Sequence, residues 1–210
     1  EIYGITQGLQ IENIFSILED KKGRIWIGTF QSGLFVMDRK AGLISELTDS
    51  FPRVGNLLGL IQDIDGNIWV NRISSGVAII DPTQETIRSL TKKEGLLGNL
   101  TVRTMQDRDG LIWITTQAGV NVLDLKTKTN KRFAAELGLR GPTIYSLAED
   151  DQGRIWMAGT DGVNIYDKKT ATMKYLGKEQ GLGPFRFVSE MLLDRSGKVW
   201  VGTDSGTVYA

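Results

Sequence analysis

Residues Glu149–Thr160 read EDDQGRIWMAGT, and the spacing inside this stretch decides the fold. An aspartate is followed by a glycine three residues on and by a tryptophan six residues on. The same skeleton places Asp20, Asp63, Asp107, Asp150 and Asp194 ahead of Trp26, Trp69, Trp113, Trp156 and Trp200. Gly23, Gly66, Gly110, Gly153 and Gly197 take the middle position each time. The tryptophans stand 43, 44, 43 and 44 residues apart, and a fixed period of this size marks a repeat architecture.

Each repeat resolves into four short apolar segments, here called a to d. In the fourth repeat they are Thr143–Glu149, Arg154–Gly159, Gly162–Asp167 and Thr172–Leu176. Segments of five or six residues rich in Ile, Val, Leu and aromatics are strands rather than helices. Ile25-Trp26-Ile27 and Val77-Ala78-Ile79-Ile80 are apolar on successive residues, so these strands are expected to be buried on both faces. Asp-x-x-Gly between a and b suits a type I hairpin turn, with the aspartate accepting backbone N–H groups and the glycine tolerating positive φ. The tryptophan then supplies an anchor between neighbouring sheets. Thr29, Thr116, Thr160 and Thr203 end strand b, and Gly33, Gly76, Gly119, Gly162 and Gly206 open strand c. Asp38, Asp81, Asp124 and Asp167 close strand c and start the c–d turn.

Four antiparallel strands in about 43 residues is the pattern of a β-propeller blade. The fold class is therefore all-β, a propeller of five four-stranded antiparallel blades forming one domain over residues 1–210. The blade repeats fall near 10–52, 53–94, 95–137 and 138–180, with 181–210 completed by 1–9. Ile2–Leu9 aligns with Met173–Leu182 as an isolated strand d, and the fifth repeat stops after strand c. Pairing that strand with the a, b and c strands of the fifth repeat would close the ring and cover two strand edges. The alternative is a piece of a larger ring, whose free edges would favour a homodimer.

The 25 basic and 25 acidic residues balance, so nothing favours nucleic acid or an anionic membrane. The chain has no Cys and no His, which removes disulfides, thiol nucleophiles, imidazole metal ligands and the commonest general base. No apolar run reaches the length of about 18 residues expected of a membrane span, and no signal peptide is visible. No cofactor and no metal site are expected.

EDKKGRIWIGT at Glu19–Thr29, EDDQGRIWMAGT at Glu149–Thr160 and DRSGKVWVGTDSG at 194–206 are each followed by a Gly-opened strand. Gly8-Leu9, Gly95-Leu96, Gly138-Leu139 and Gly181-Leu182 precede strand a. Together these resemble the two-component regulator propeller repeat. The resemblance implies the extracytoplasmic sensor region of a bacterial hybrid histidine kinase of the kind that regulates polysaccharide use, hence a periplasmic location. It also implies the remaining sensor-kinase domains as partners. The second repeat departs from the pattern, with Asn71-Arg72 where Gly-Thr is expected and no GL in the loop Asp49–Gly55.

Glu19-Asp20, Asp63 with Asp65, Asp107 with Asp109, and Glu149-Asp150-Asp151 could suggest paired carboxylates for glycoside hydrolysis. Each set instead repeats on the same turn of a different blade, which makes it structural. Asp63-x-Asp65-Gly66 and Asp107-x-Asp109-Gly110 resemble the start of a calcium loop, but apolar strand residues follow. Asn121 and Asn164 are expected to bond backbone between blades. Non-repeating residues carry the functional signal. The d–a and b–c loops of a propeller share one face, which receives Phe30, Arg53, Asn71, Arg72, Arg140, Phe185 and Arg186. Ten residues before each tryptophan stand Ser16, Gly59, Arg103, Ser146 and Glu190, so Arg103 and Glu190 bring opposite charges toward the channel. Arginines among aromatics suit an oligosaccharide or a small anion, and Arg72→Ala or Arg186→Ala is expected to weaken binding at nearly unchanged melting temperature. The preferred reading is a non-catalytic ligand-binding sensor. A protein-interaction platform is the alternative, and a polysaccharide or small-molecule lyase comes third.

Overall fold

The computed structural model describes residues 13–30, 32–39, 42–47, 56–182, 188–205 and 208–209. The chain divides into two compact units, Glu1–Thr104 and Met105–Ala210. Regular structure among the described residues is five antiparallel sheets and three short 3-10 turns. The first sheet holds β1 (Ile14–Glu19), β2 (Ile25–Thr29), β3 (Leu34–Asp38) and β4 (Leu43–Glu46). The second holds β5 (Leu57–Gln62), β6 (Ile68–Arg72), β7 (Gly76–Asp81) and β8 (Thr86–Leu90). The third holds β9 (Thr101–Gln106), β10 (Ile112–Thr116), β11 (Gly119–Asp124) and β12 (Thr129–Phe133). The fourth holds β13 (Ile144–Glu149), β14 (Arg154–Gly159), β15 (Val163–Asp167) and β16 (Thr172–Leu176). The fifth is three-stranded, with β17 (Val188–Leu193), β18 (Val199–Thr203) and β19 (Val208–Tyr209).

Strands neighbour one another in chain order in every sheet, and each sheet lies within one of the five expected repeats. The N-terminal strand read at Ile2–Leu9, and with it ring closure, lies outside the described residues.

The central strands are buried throughout, as their continuous apolar runs require: every residue of β6 and β10 is buried. Edge strands such as β8 and β12 are largely exposed and polar. Within each unit the core lies between successive sheets. Trp26 of the first sheet packs with Leu57, Leu60, Ile68 and Ile80 of the second. Trp113 of the third packs with Ile144, Leu147, Ile155 and Tyr166 of the fourth, and Trp156 of the fourth lies against Val188, Met191 and Val201 of the fifth. Each of these indoles thus covers the sheet that follows its own.

The first and fifth sheets differ from the others at matching positions. Nine residues before the tryptophan, Leu60, Leu147 and Met191 are 6–9% exposed, whereas Ile17 is 62% exposed. Trp26, Trp69 and Trp113 are at most 2% exposed, whereas Trp200 is 40% exposed beside its cross-strand partner Leu192. The expectation that all five tryptophans are core residues therefore fails at Trp200.

Candidate functional site

The repeated aspartate is the hub of each a–b hairpin. Asp20 Oδ1 accepts the backbone N–H groups of Lys22 and Arg24, and Gly23 N–H donates to the Asp20 carbonyl at 2.8 Å with φ +76°. The other carboxylate oxygen accepts the indole N–H. Trp26, Trp69, Trp113, Trp156 and Trp200 donate to Asp20, Asp63, Asp107, Asp150 and Asp194 at 2.7–2.9 Å. Turn and anchor are therefore one device. The six-residue spacing lets a single carboxylate close the hairpin and satisfy the N–H of the buried ring, which would otherwise be orphaned.

This bonding sets the charge state. Burial pushes the Asp20 and Asp150 carboxyls up, and donors from the tryptophan and from Arg24 or Arg154 outweigh it, leaving both below the ordinary aspartate range. Asp194 stands well below that range through the Ser196 and Trp200 side chains. The five aspartates are committed acceptors, as the structural reading of the repeats requires.

A second device ties neighbouring turns together. Lys21 N–H donates to the Gln62 side chain, and its ammonium to the carbonyl of Ile64 at 2.8 Å. At the matching place Arg108 N–H donates to Glu149 Oε2, and its guanidinium to the Asp150 carbonyl and to Asp151. Lys168 reinforces the latter junction, reaching Asp109, Glu149 and Asp107 at 2.6, 2.8 and 3.1 Å. Burial alone would lower the Lys168 pKa. The three carboxylates reverse that and raise it above the ordinary lysine range.

Of the expected ligand residues, Arg53, Phe185 and Arg186 lie outside the described residues. Asn71 and Arg72 are buried, at 0% and 8% exposure. Asn71 donates to Thr104 Oγ1, and the Arg72 guanidinium donates to the Ser75 carbonyl and to Ser89 Oγ. In the first and third sheets the threonine ending strand b donates to the glycine carbonyl opening strand c, Thr29 to Gly33 and Thr116 to Gly119. Arg72 has no such hydroxyl, and Thr101 of β9 supplies it, donating to the Gly76 carbonyl at 2.8 Å. The departure at Asn71-Arg72 is thus absorbed into the b–c hairpin. An unchanged melting temperature is no longer expected of Arg72→Ala.

Phe30 stacks on Phe15 with ring centroids 5.5 Å apart. Arg103 is half-buried in β9. Glu190 of β17 accepts the Ser146 hydroxyl at 2.6 Å, while Ser146 Oγ accepts Met191 N–H. Ser16 accepts Leu60 N–H in the same way, so these serines join the first strands of successive sheets. Asn121 donates to the Asn130 side chain within its own sheet. Asn164 bonds backbone, through both amide atoms to the N–H and carbonyl of Arg140 in the loop between the third and fourth sheets.

That clamp builds the most developed exposed feature of the loop side. Arg140 is exposed, and its guanidinium lies 4.7 Å from the centre of the Tyr175 ring. The Tyr175 hydroxyl donates to the Asp161 carbonyl. Burial and the Asp161 carboxylate raise the Tyr175 pKa, so the ring is a neutral platform. Gly141 seats the loop, since a Cβ there would stand 2.9 Å from Thr160 Oγ1. A cation over an aromatic face, on backbone fixed by an amide, can take a carboxylate on the guanidinium and a sugar ring on the tyrosine.

The model of the two component regulator propeller matches residues 8–31 and 138–161. Both matches contain the Asp-x-x-Gly-x-x-Trp turn, and the second also contains Arg140. No match was found among curated proteins. Among solved structures, the extracellular domain of a hybrid two component system from B. thetaiotaomicron is 19% identical with a TM-score of 0.81, over 100% of this chain and 31% of that one. The extracellular domain of a one component system from the same organism is 22% identical with a TM-score of 0.74, over 91% and 26%. Virginiamycin B lyase from Staphylococcus aureus is 13% identical with a TM-score of 0.72, over 94% and 69%. This chain thus spans less than a third of the two B. thetaiotaomicron chains. The shared feature is the fold, all-β with propeller sheets.

The sequence pattern does not single out Tyr175, Thr101 or Lys168. Tyr175 lies on strand d, where the matching residues of the first three sheets are Glu46, Ser89 and Arg132, so no periodic signal marks it. Lys168 follows the turn residue Asp167 and reads as solvated until the fold sets three carboxylates around it. Among the described residues no group of three or more His, Cys, Asp or Glu side chains is placed to hold a metal ion. Among them, too, no helix is long and apolar enough to cross a membrane.

Proposed function

We propose that this chain is the non-catalytic, ligand-sensing propeller segment of a bacterial two-component receptor, working on the extracytoplasmic side of the membrane. The two component regulator propeller matches at 8–31 and 138–161 support this reading, as does the fold shared with extracellular domains of signalling proteins. Signal output falls to kinase domains elsewhere in the receptor. The observation that carries the ligand-binding role is the exposed Arg140 guanidinium held over Tyr175 by the Asn164 clamp. The ligand class that fits is an acidic oligosaccharide, its carboxylate on Arg140 and a sugar face on Tyr175. The acidic residues a lyase or hydrolase would use are engaged in the turns, which favours binding over turnover.

Calorimetry with oligogalacturonate and with a neutral cello-oligosaccharide tests this. The acidic ligand is expected to bind, and Arg140→Ala to weaken it by about tenfold, the loss of one charge-assisted hydrogen bond. Equal binding of both sugars, or an acidic sugar indifferent to Arg140→Ala and Tyr175→Ala, would remove this site. Depolymerisation of the substrate would overturn the non-catalytic reading.

A further inference from the structure

At its turn end, the junction between the first and second sheets contains a cleft of about 350 Å³. Its walls include Arg24, Trp26, Ser45, Leu47 and Ile80, with Glu85 at the rim. The junction between the third and fourth sheets has the same pairing, but its cleft of about 410 Å³ is lined by charged turn residues, among them Arg108, Asp109, Glu149, Asp151 and Lys168, and not by the matching strand residues. The registers give the correspondence position by position. Ser45 pairs with Val36, which pairs with Trp26; Lys131 pairs with Val122, which pairs with Trp113. Leu47 and Phe133 stand two residues further along. Ile80 pairs with Ile68, and Tyr166 with Ile155, the residues just before Trp69 and Trp156. Ser45, Leu47 and Ile80 of one junction are thus Lys131, Phe133 and Tyr166 of the other.

In the second unit those larger side chains form a plug. The Phe133 and Tyr166 rings meet edge to face at 4.7 Å, Phe133 stacks on Trp113, and Lys131 donates to the Tyr166 hydroxyl at 3.0 Å. In the first unit the corresponding space is lined by Trp26, by the aliphatic side chains of Val36, Leu47, Ile80 and Ile87, and by Arg24, Ser45 and Glu85. Arg24 Nε pairs with Asp20 and the group lies over Trp26, while its buried Nη2 has no hydrogen-bond partner. The cleft therefore has Trp26 as one wall and oxygens of Ser45 and Glu85 in its lining, but no counterpart of the Phe133 ring and the Tyr166 phenol that fill the other junction from its own chain.

We propose that this cleft is a binding site for a single-ring phenol, with the ring against Leu47, Ile80 and Trp26 and the oxygen accepting from Arg24. The volume exceeds the roughly 150 Å³ that holds a benzene ring in an apolar protein cavity. It lies within the range of ligand pockets, about 300–1,000 Å³. The site is built from strand and turn residues at the a–b and c–d end of the sheets, so it is independent of the loop residues around Arg140.

The test is a titration of the whole chain with 4-methylphenol, the side chain of tyrosine, followed at the five indole N–H resonances. A saturable shift is expected at Trp26 and not at Trp113, with cyclohexanol at least tenfold weaker. Copying the plug, as Ser45→Lys with Leu47→Phe and Ile80→Tyr, is expected to abolish the Trp26 shift. Leu47→Phe alone is expected to weaken it if the triple variant does not fold. In the opposite direction, Phe133→Leu with Tyr166→Ile is expected to create a saturable shift at Trp113. Absence of a saturable Trp26 shift overturns the proposal, as does binding that the plug or Leu47→Phe leaves unchanged.

Discussion

The junction between the first and second sheets and that between the third and fourth use the same frame and differ in what fills it. Both bury a tryptophan under the next sheet, and both close at the turn end with a cationic residue, Lys21 or Arg108, reaching the following hairpin. The first is lightly filled, with a cleft beside Trp26. The second is filled by Phe133 and Tyr166 and cross-linked by Lys168 to three carboxylates. The lesson is that the repeat fixes the strands, the turns and the indole, while three positions, Ser45, Leu47 and Ile80 in one junction and Lys131, Phe133 and Tyr166 in the other, decide how the space beside the indole is filled.

The largest effect expected is at the better filled junction. Trp113→Ala should cost about 3–5 kcal/mol in urea unfolding, the usual loss for a fully buried large ring. Trp200→Ala, at a residue 40% exposed, should cost about 1–2 kcal/mol. Equal costs would break the contrast between covered and uncovered indoles. Next comes the hub. Asp107→Ala orphans the Trp113 indole N–H and two backbone N–H groups and should cost about 2–4 kcal/mol.

The same hubs set an acid limit. The Asp20 and Asp150 carboxyls are lower when folded than the ordinary value of 3.8, so their contribution is complete above that value. It is lost as pH falls through 3.8 toward the folded values. Unfolding free energy at constant temperature is expected to drop below about pH 4, and Asp150→Asn should flatten that drop. A third contrast sits on the ties. Lys168→Met leaves three acids facing one another and should cost about 1–3 kcal/mol, against less than about 1 kcal/mol for the exposed Lys21→Ala. The smallest effect is a gain. Ala171 holds φ +54° in the c–d turn, at the place Gly42 takes in the first sheet, and Ala171→Gly should stabilise by about 0.5–1 kcal/mol.

Much of this was legible in the sequence because periodic features repeat for physical reasons that act five times. The Asp-x-x-Gly turn, the strand segments and the repeat bounds follow from spacing alone. The GL pairs were visible without their cause. Gly95, Gly138 and Gly181 cap 3-10 turns in the left-handed region, and Leu96, Leu139 and Leu182 drop into the core behind them. The glycine opening strand c has an equally local reason, since a Cβ on Gly76 or Gly162 would stand 2.2 or 2.3 Å from the carbonyl ending strand d.

Features that depend on the neighbouring sheet were not legible. Arg72 reads as an exposed loop cation and is buried, its guanidinium held by the Ser75 carbonyl and Ser89 Oγ, while Thr101 from β9 does the work of the missing threonine. Tyr175 reads as an edge-strand aromatic and becomes a platform only once the Arg140 loop is clamped by Asn164. The openness of the Trp26 junction depends on three residues that are each unremarkable alone.

Hydrogen exchange of the five indole N–H groups tests the central claim, that Trp26, Trp113 and Trp156 are sealed by the sheet following their own, whereas Trp200 is not. Strong protection is predicted for Trp26, Trp69 and Trp113, less for Trp156, and the fastest exchange for Trp200 despite its 2.7 Å bond to Asp194. Uniform exchange across the five, or Trp200 as slow as Trp113, would contradict it.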